Sequence, residues 1–122
     1  MKSIAISGIM RFTGSIAGHP VKVLLDGGSD DSFIQPRVVQ FLHLGTLPIE
    51  QFKVLVGNGQ FLQVKGLVPE VSLQVQGHTL TLPAYVLPIT GADIILGASW
   101  LATLGLHMTD YSKLSTQFYH NN

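Results

Sequence analysis

Val23-Leu24-Leu25-Asp26-Gly27-Gly28-Ser29 is the stretch on which the reading of this chain turns. A run of apolar residues stops at an acid, and two glycines follow at once. The run has the length and composition of a strand, while Asp-Gly and Gly-Ser are turn dipeptides. Glycine leaves φ unrestricted and lets another backbone come close. A carboxylate at the end of such a strand is held rigidly at a partly desolvated spot, which suits a general acid or base. Asp26 is the candidate, and a plain turn is the competing reading of the same residues.

Outward from this stretch the chain alternates with period two, the signature of half-buried strands. Met10, Phe12, Gly14 and Ile16 alternate with Arg11, Thr13 and Ser15. Gly18-His19 reads as a turn and residues 21–25 as the next strand. Residues 52–56 and 60–64 flank Gly57-Asn58-Gly59, a hairpin signal because these residues tolerate positive φ. Val71, Leu73 and Val75 alternate with polar neighbours. Gln76-Gly77-His78 then turns the chain into residues 79–82. Residues 85–87 and 93–96 read as short apolar strands separated by Pro88 and Gly91, and residues 113–119 as a last strand. Two short helices are expected. Residues 36–44 have Pro36 in the first turn and Gly45 past the end, and residues 99–104 are followed by Gly105. Trp100 reads as core. An apolar strand meeting a Gly-rich turn occurs twice, at residues 21–28 and 85–97, which hints at duplication.

The chain has 122 residues, enough for one domain with a real core. Apolar residues make up 46% and charged residues 11%, so disorder is not expected. Seven basic and seven acidic residues cancel, and no basic run is present, which argues against direct nucleic-acid binding. So little charge with so much apolar content points to apolar surface covered by a partner. The absence of Cys excludes disulfides, thiol nucleophiles and Cys-ligated zinc. No apolar stretch has transmembrane length, and residues 1–10 lack the long apolar run of a secretory signal. His19, His43, His78, His107 and His120 show no metal-ligand spacing, so no metal is expected, and no phosphate loop, Rossmann fingerprint or EF-hand pattern is present. Asp93 and Asp110 read as turn acids. Ser29 and Ser32 read as loop caps bonding to backbone or to Asp26.

One well-placed carboxylate rarely activates water for peptide hydrolysis, whereas two that share a proton can, as in aspartic proteases generally. A chain with one such Asp builds the pair only by setting its own copy across a two-fold axis. Here a resemblance enters. Residues 24–32 resemble the active-site loop of retroviral and retrotransposon aspartic proteases, the retropepsins. The stretch Ala92-Asp93-Ile94-Ile95-Leu96-Gly97-Ala98-Ser99-Trp100-Leu101 is similar to their second signature, and Gly57-Asn58-Gly59 lies between the two, where the family keeps its flap. Phe33-Ile34-Gln35-Pro36 and residues 87–93 are similar to the protease segment of plant gypsy-type LTR retrotransposon polyproteins.

The resemblance implies an all-β, retropepsin-like closed barrel with a flap hairpin and one or two short helices. It would span residues 10–119, with an N-terminal extension (1–9) and a C-terminal tail (120–122). It implies an aspartic endopeptidase that processes a polyprotein as a homodimer, acting on an extended peptide, without a cofactor. The lack of a secretory signal and of Cys, not the resemblance, is what points to an intracellular, cytoplasmic setting. Asp26 would be catalytic, one per subunit, in an active-site loop with Gly27, Gly28 and Ser29. Asp30 and Asp31 match substrate-binding positions, and Val56, Gly57, Asn58, Gly59 and Gln60 would form the flap tip. Ile95, Leu96 and Gly97 would support the loop from below. The sequence departs from the family pattern at Gly27, where Ser or Thr is usual, and at Ala98, where retroviral relatives often carry Arg. Gly27 motivates the alternative: a domain of this fold with weak or no catalysis, serving as a dimerisation or peptide-binding module.

Overall fold

The computed structural model describes residues 9–56 and 59–98. Strands β1 (Ile9–Ile16) and β2 (His19–Asp26) form an antiparallel hairpin in which Met10 faces Leu25 and Ile16 faces His19. Ala17 and Gly18 take positive φ and make the turn. The turn therefore lies one residue before the predicted Gly18-His19, and His19 already belongs to β2. There follow β3 (Phe33–Ile34), α1 (Pro36–Phe41), β4 (Lys53–Leu55), β5 (Phe61–Gln63), β6 (Gly66–Val75), β7 (His78–Val86) and β8 (Ile94–Leu96). Six strands close a barrel in the order β1-β2-β8-β3-β7-β6, and β4 and β5 stand apart as a two-stranded hairpin. Among the described residues the fold is all-β, with a closed barrel, a separate hairpin and one short helix, as expected.

Closure occurs where β1 meets β6, at the pairs Ser15↔Gln74 and Ile16↔Leu73. Gly14 makes this approach possible: a Cβ there would lie 2.8 Å from the Gln74 carbonyl oxygen. A closed barrel leaves few open edges for stray pairing.

Residues 79–82 and 85–87 are not two strands. They merge into β7, which runs through Pro83, and β6 likewise includes Pro69. Val68 pairs with Ala84 and Val71 with Leu82, so Pro69 and Glu70 together oppose Pro83 at a bulge. A residue without an N–H is tolerated where the ladder is already interrupted. The two-residue β3 is too short to show a period, and Asp93 precedes β8 rather than opening it.

The first helix is shorter than predicted. It ends at Phe41 with Leu42 as C-cap, and His43, not Gly45, takes the left-handed conformation with φ 54°. The His43 N–H donates to the Gln40 carbonyl at 3.3 Å and the Leu44 N–H to the Val39 carbonyl at 3.0 Å. This pairing satisfies the orphan carbonyls of the last turn. The expected helix at 99–104, the strand at 113–119 and Trp100 lie outside the described residues, as do Gly57, Asn58, His107 and His120.

Strand alternation divides the apolar residues between two faces. Val21, Val23, Leu25, Ile34, Leu73, Val75, Ile94 and Leu96 point into the barrel, where Val38 and Val39 of α1 join them. Phe33, Val64, Leu87 and Ile89 form a second cluster, packed with Val54, Leu62, Tyr85 and Ile95. Register explains the split. Leu24 pairs with Ile95, Ile95 with Phe33 and Phe33 with Tyr85, one row across four strands. Each of these residues is one step from a barrel-core residue, so the row lies on the opposite face of the sheet.

Candidate active site

Asp26 is two residues beyond Leu24 and so shares its face of β2 rather than that of Leu25. Its half-buried side chain stands at the end of the Leu24–Ile95–Phe33–Tyr85 row. Above this floor lies the β4–β5 hairpin, with Lys53↔Gln63, Val54↔Leu62 and Leu55↔Phe61 in register. Val64 N–H donates to the Phe52 carbonyl at 3.0 Å, and the Phe52 ring meets Tyr85 edge-on at 5.2 Å. These contacts anchor the base of the hairpin over the sheet. Towards its tip, Val56 N–H donates to the Gln60 carbonyl and Gly59 N–H to the Val56 carbonyl, each at 2.9 Å.

Between hairpin and floor is a cleft of about 260 Å³ lined by Asp26, Gly28, Ser29, Phe33, Val54, Leu55, Val56, Leu87, Ile89 and Ile95. Among the described residues, Asp26 is the single ionisable side chain in that lining. A second recess of about 280 Å³ adjoins it and shares Val56, Ile89 and Ile95. The apolar wall is what an extended peptide with apolar side chains would fill.

The loop after Asp26 is held by hydrogen bonds within and across it. Gly28 N–H donates to Asp26 Oδ1 at 3.0 Å, which orients the carboxylate. Ser29 N–H donates to the Asp26 carbonyl at 3.1 Å, and Ser29 Oγ donates to the Asp31 carbonyl at 2.8 Å. Past the end of β8, Ala98 N–H donates to the Ser29 carbonyl at 2.6 Å. Gly97 N–H donates to Ser32 Oγ at 3.1 Å. Gly97 has no room for a side chain: a Cβ there would lie 2.7 Å from the Ser29 carbonyl oxygen and closer still to that of Asp31.

Of the residues singled out from sequence, the cleft brings together Asp26, Gly28, Ser29, Val56 and Ile95, the last as part of its wall. Gln60 lines the adjoining recess, Leu96 is in the barrel core and Gly97 packs against the loop. Gly27 is buried, and Asp30, Asp31 and Gly59 are exposed and do not line the cleft. Asp93 is a structural acid. Its Oδ2 accepts the Lys22 N–H and its Oδ1 pairs with Arg37, each at 2.7 Å. Its carbonyl accepts the Gln35 N–H at 2.9 Å. Ser32 does not touch Asp26; it caps Gly97. His19 packs on the Phe41 ring at 4.8 Å. Among the described residues no three His, Cys, Asp or Glu side chains are grouped to hold a metal ion, and no helix is long and apolar enough to cross a membrane. Sequence reading missed the cleft wall of Phe33, Leu87 and Ile89. The available signal was an apolar residue at the strand parity opposite to the core.

The family model described as "gag-polyprotein putative aspartyl protease" matches residues 12–103. The chain belongs to this family. The protease domain also resembles solved structures. The retroviral protease-like domain of Ddi1 from Leishmania major superposes with a TM-score of 0.64 at 21% identity, covering 78% of this chain and 76% of that one. The EIAV protease, solved in complex with the inhibitor HBY-793, superposes with a TM-score of 0.61 at 21% identity, covering 84% of this chain and 93% of that one. A comparison with curated protein sequences returned no match. Family and fold agree on a retropepsin-like aspartic protease domain.

Proposed function

We propose that this domain is an aspartic endopeptidase that works as a homodimer, with Asp26 of each subunit in one catalytic pair, and that it processes the polyprotein of a plant gypsy-type LTR retrotransposon inside the cell. One observation carries the reading: among the described residues the cleft under the hairpin contains a single carboxylate, fixed by the Gly28 N–H and set beside Ser29 against a wall of apolar side chains. A second carboxylate must then come from a second copy, which a two-fold axis beside Asp26 supplies. Leu55 and Phe61 are 60% and 63% exposed on the hairpin and offer apolar surface for substrate or partner to cover.

The pair holds one proton, because like charges at close range do not both ionise. The ionised carboxylate takes a proton from water as the water oxygen bonds to the scissile carbonyl carbon. The protonated carboxyl donates its proton to the carbonyl oxygen. The resulting diol returns one hydroxyl proton to the second carboxylate. The carbon–nitrogen bond breaks as the nitrogen takes the proton held by the first. Water is consumed and the pair is restored. The hairpin excludes bulk water, and its backbone pairs with substrate as an added strand. Val56, Gly57, Asn58 and Gly59 form the covering tip in this reading, and Asp30 and Asp31, exposed just beyond the cleft lining, meet the backbone of a substrate that extends past it.

The alternative is a dimerisation or peptide-binding module of the same fold, favoured by Gly27, which lacks the hydroxyl that would tie the two loops together. Peptide-library cleavage at mildly acidic pH decides between them, comparing wild type with Asp26→Asn at several protein concentrations. The enzyme reading expects cleavage that rises faster than linearly with concentration and vanishes in the variant. A well-folded, demonstrably dimeric wild type that cleaves nothing would establish the module instead.

A further inference from the structure

We infer that Ser32 is a positioning residue for Asp26, acting through the end of β8. This role rests on the protease reading above, although that reading makes no use of Ser32. Ser32 is 4% exposed and is the one buried polar side chain among the described residues. Its Oγ accepts the Gly97 N–H at 3.1 Å from a residue 65 positions along the chain, and its carbonyl accepts the Tyr85 N–H at 2.9 Å. Ser32 therefore joins the loop after Asp26 to β7 and β8 at once.

The neighbouring bonds show what this junction holds. Ala98 N–H donates to the Ser29 carbonyl, Ser29 N–H to the Asp26 carbonyl, and Gly28 N–H to Asp26 Oδ1. Two successive amides, of Gly97 and Ala98, thus staple residues 29 and 32 to the strand that lies parallel to β2. In this run of bonds the Ser32 hydroxyl is the only side-chain group other than the Asp26 carboxylate itself. Remove it and the buried Gly97 N–H loses its acceptor, so the strand end must shift to find another. Gly97 is packed against the Asp31 and Ser29 carbonyls, so its shift displaces the loop that aims the carboxylate. Gly27 supplies no hydroxyl to brace the loop from the other side, and the Ser29 hydroxyl bonds only within the loop, to the Asp31 carbonyl, so among the described residues Ser32 is the loop side chain that ties it to the end of β8.

The test compares wild type, Ser32→Ala and Ser32→Thr in steady-state cleavage of a selected peptide, at protein concentrations that saturate dimerisation. Amide hydrogen exchange is followed on the same proteins. Misplacing a catalytic group by a fraction of an ångström predicts a fall in kcat of about tenfold or more for Ser32→Ala, with KM within about twofold. Exchange at Gly28 and Ser29 accelerates while the barrel amides of Leu73 and Val75 stay protected. Ser32→Thr retains a hydroxyl and restores both readouts. Wild-type kcat in Ser32→Ala, a loss reversed simply by more protein, or unchanged Gly28 and Ser29 exchange overturns the inference. A wild type that cleaves no peptide overturns the protease reading instead, and the exchange comparison still decides whether Ser32 holds the loop.

Discussion

Leu25 and Leu96 lie opposite each other in the parallel β2–β8 pair, and neither is exposed to solvent. The chain leaves the barrel from both points side by side, as Asp26-Gly27-Gly28 from one strand and Gly97-Ala98 from the other. The candidate catalytic loop is therefore seated on the best-buried part of the sheet. Its geometry is set by core packing as much as by its own turn residues.

Gly97→Ala should be among the more damaging single-methyl additions in the domain. The new Cβ meets backbone oxygens of Ser29 and Asp31, which do not swing aside as a flexible side chain would. Overpacking of this kind costs about 1–3 kcal/mol. A lowered denaturant midpoint together with lost cleavage is expected. A variant as stable and active as wild type would mean that the loop and β8 are not packed this closely.

Asp93 and Arg37 form an ion pair, yet their substitutions should differ sharply. Arg37 is 70% exposed and its side chain 2.7 Å from Asp93 lies in water, so Arg37→Ala should cost no more than about 0.5 kcal/mol. Asp93→Ala also strips the acceptor from the Lys22 N–H of β2, which should cost about 1 kcal/mol or more. Chemical denaturation of both variants checks the difference. Equal losses would assign the value of Asp93 to the ion pair.

Ile95 forms part of the wall between the two adjoining recesses. Ile95→Ala should merge them and shift preference towards bulkier apolar side chains, by about tenfold in relative kcat/KM, since each methylene of fit is worth about 1–3 kcal/mol. Profiling against a peptide library reads this directly. An unchanged profile would place the specificity elsewhere.

Gly27→Thr restores the hydroxyl usual in the family. One hydrogen bond per subunit at about 1 kcal/mol predicts a dimer tighter by about tenfold or more, measured by sedimentation, with kcat of the saturated dimer within about threefold. A sharp rise in kcat would instead mark the natural site as impaired and favour the module reading.

Much of the site's chemistry is legible in the amino-acid sequence. The apolar run into Asp26 and the two following glycines locate a rigid carboxylate, and Gly57-Asn58-Gly59 locates a hairpin whose flanking strands pair in register. Other features are not legible there. Pro83 reads as a break, yet β7 passes through it, because Pro69 and Pro83 share one bulge and neither is asked for a ladder hydrogen bond. Gly45 reads as the helix stop, yet His43 takes the left-handed position, because the helix ends where Leu44 can reach back to the Val39 carbonyl. Phe33 and Ile34 carry no period in two residues, and only their pairing with β7 and β8 makes them a strand.

The all-β character, most of the turns and the identity of the candidate carboxylate follow from the amino-acid order alone. These depend on local properties: period-two alternation, backbone freedom at glycine and the chemistry of an acid at a strand end. Long-range packing decided which strands are neighbours, that β2 and β8 run parallel, that Ser32 caps Gly97, and that Asp93 grips Lys22 from 71 residues away. Alternation states which face a residue takes, not which strand lies beside it. That choice is made when distant segments close on one another and bury a shared core, and the same closure sets Asp26 against the cleft wall.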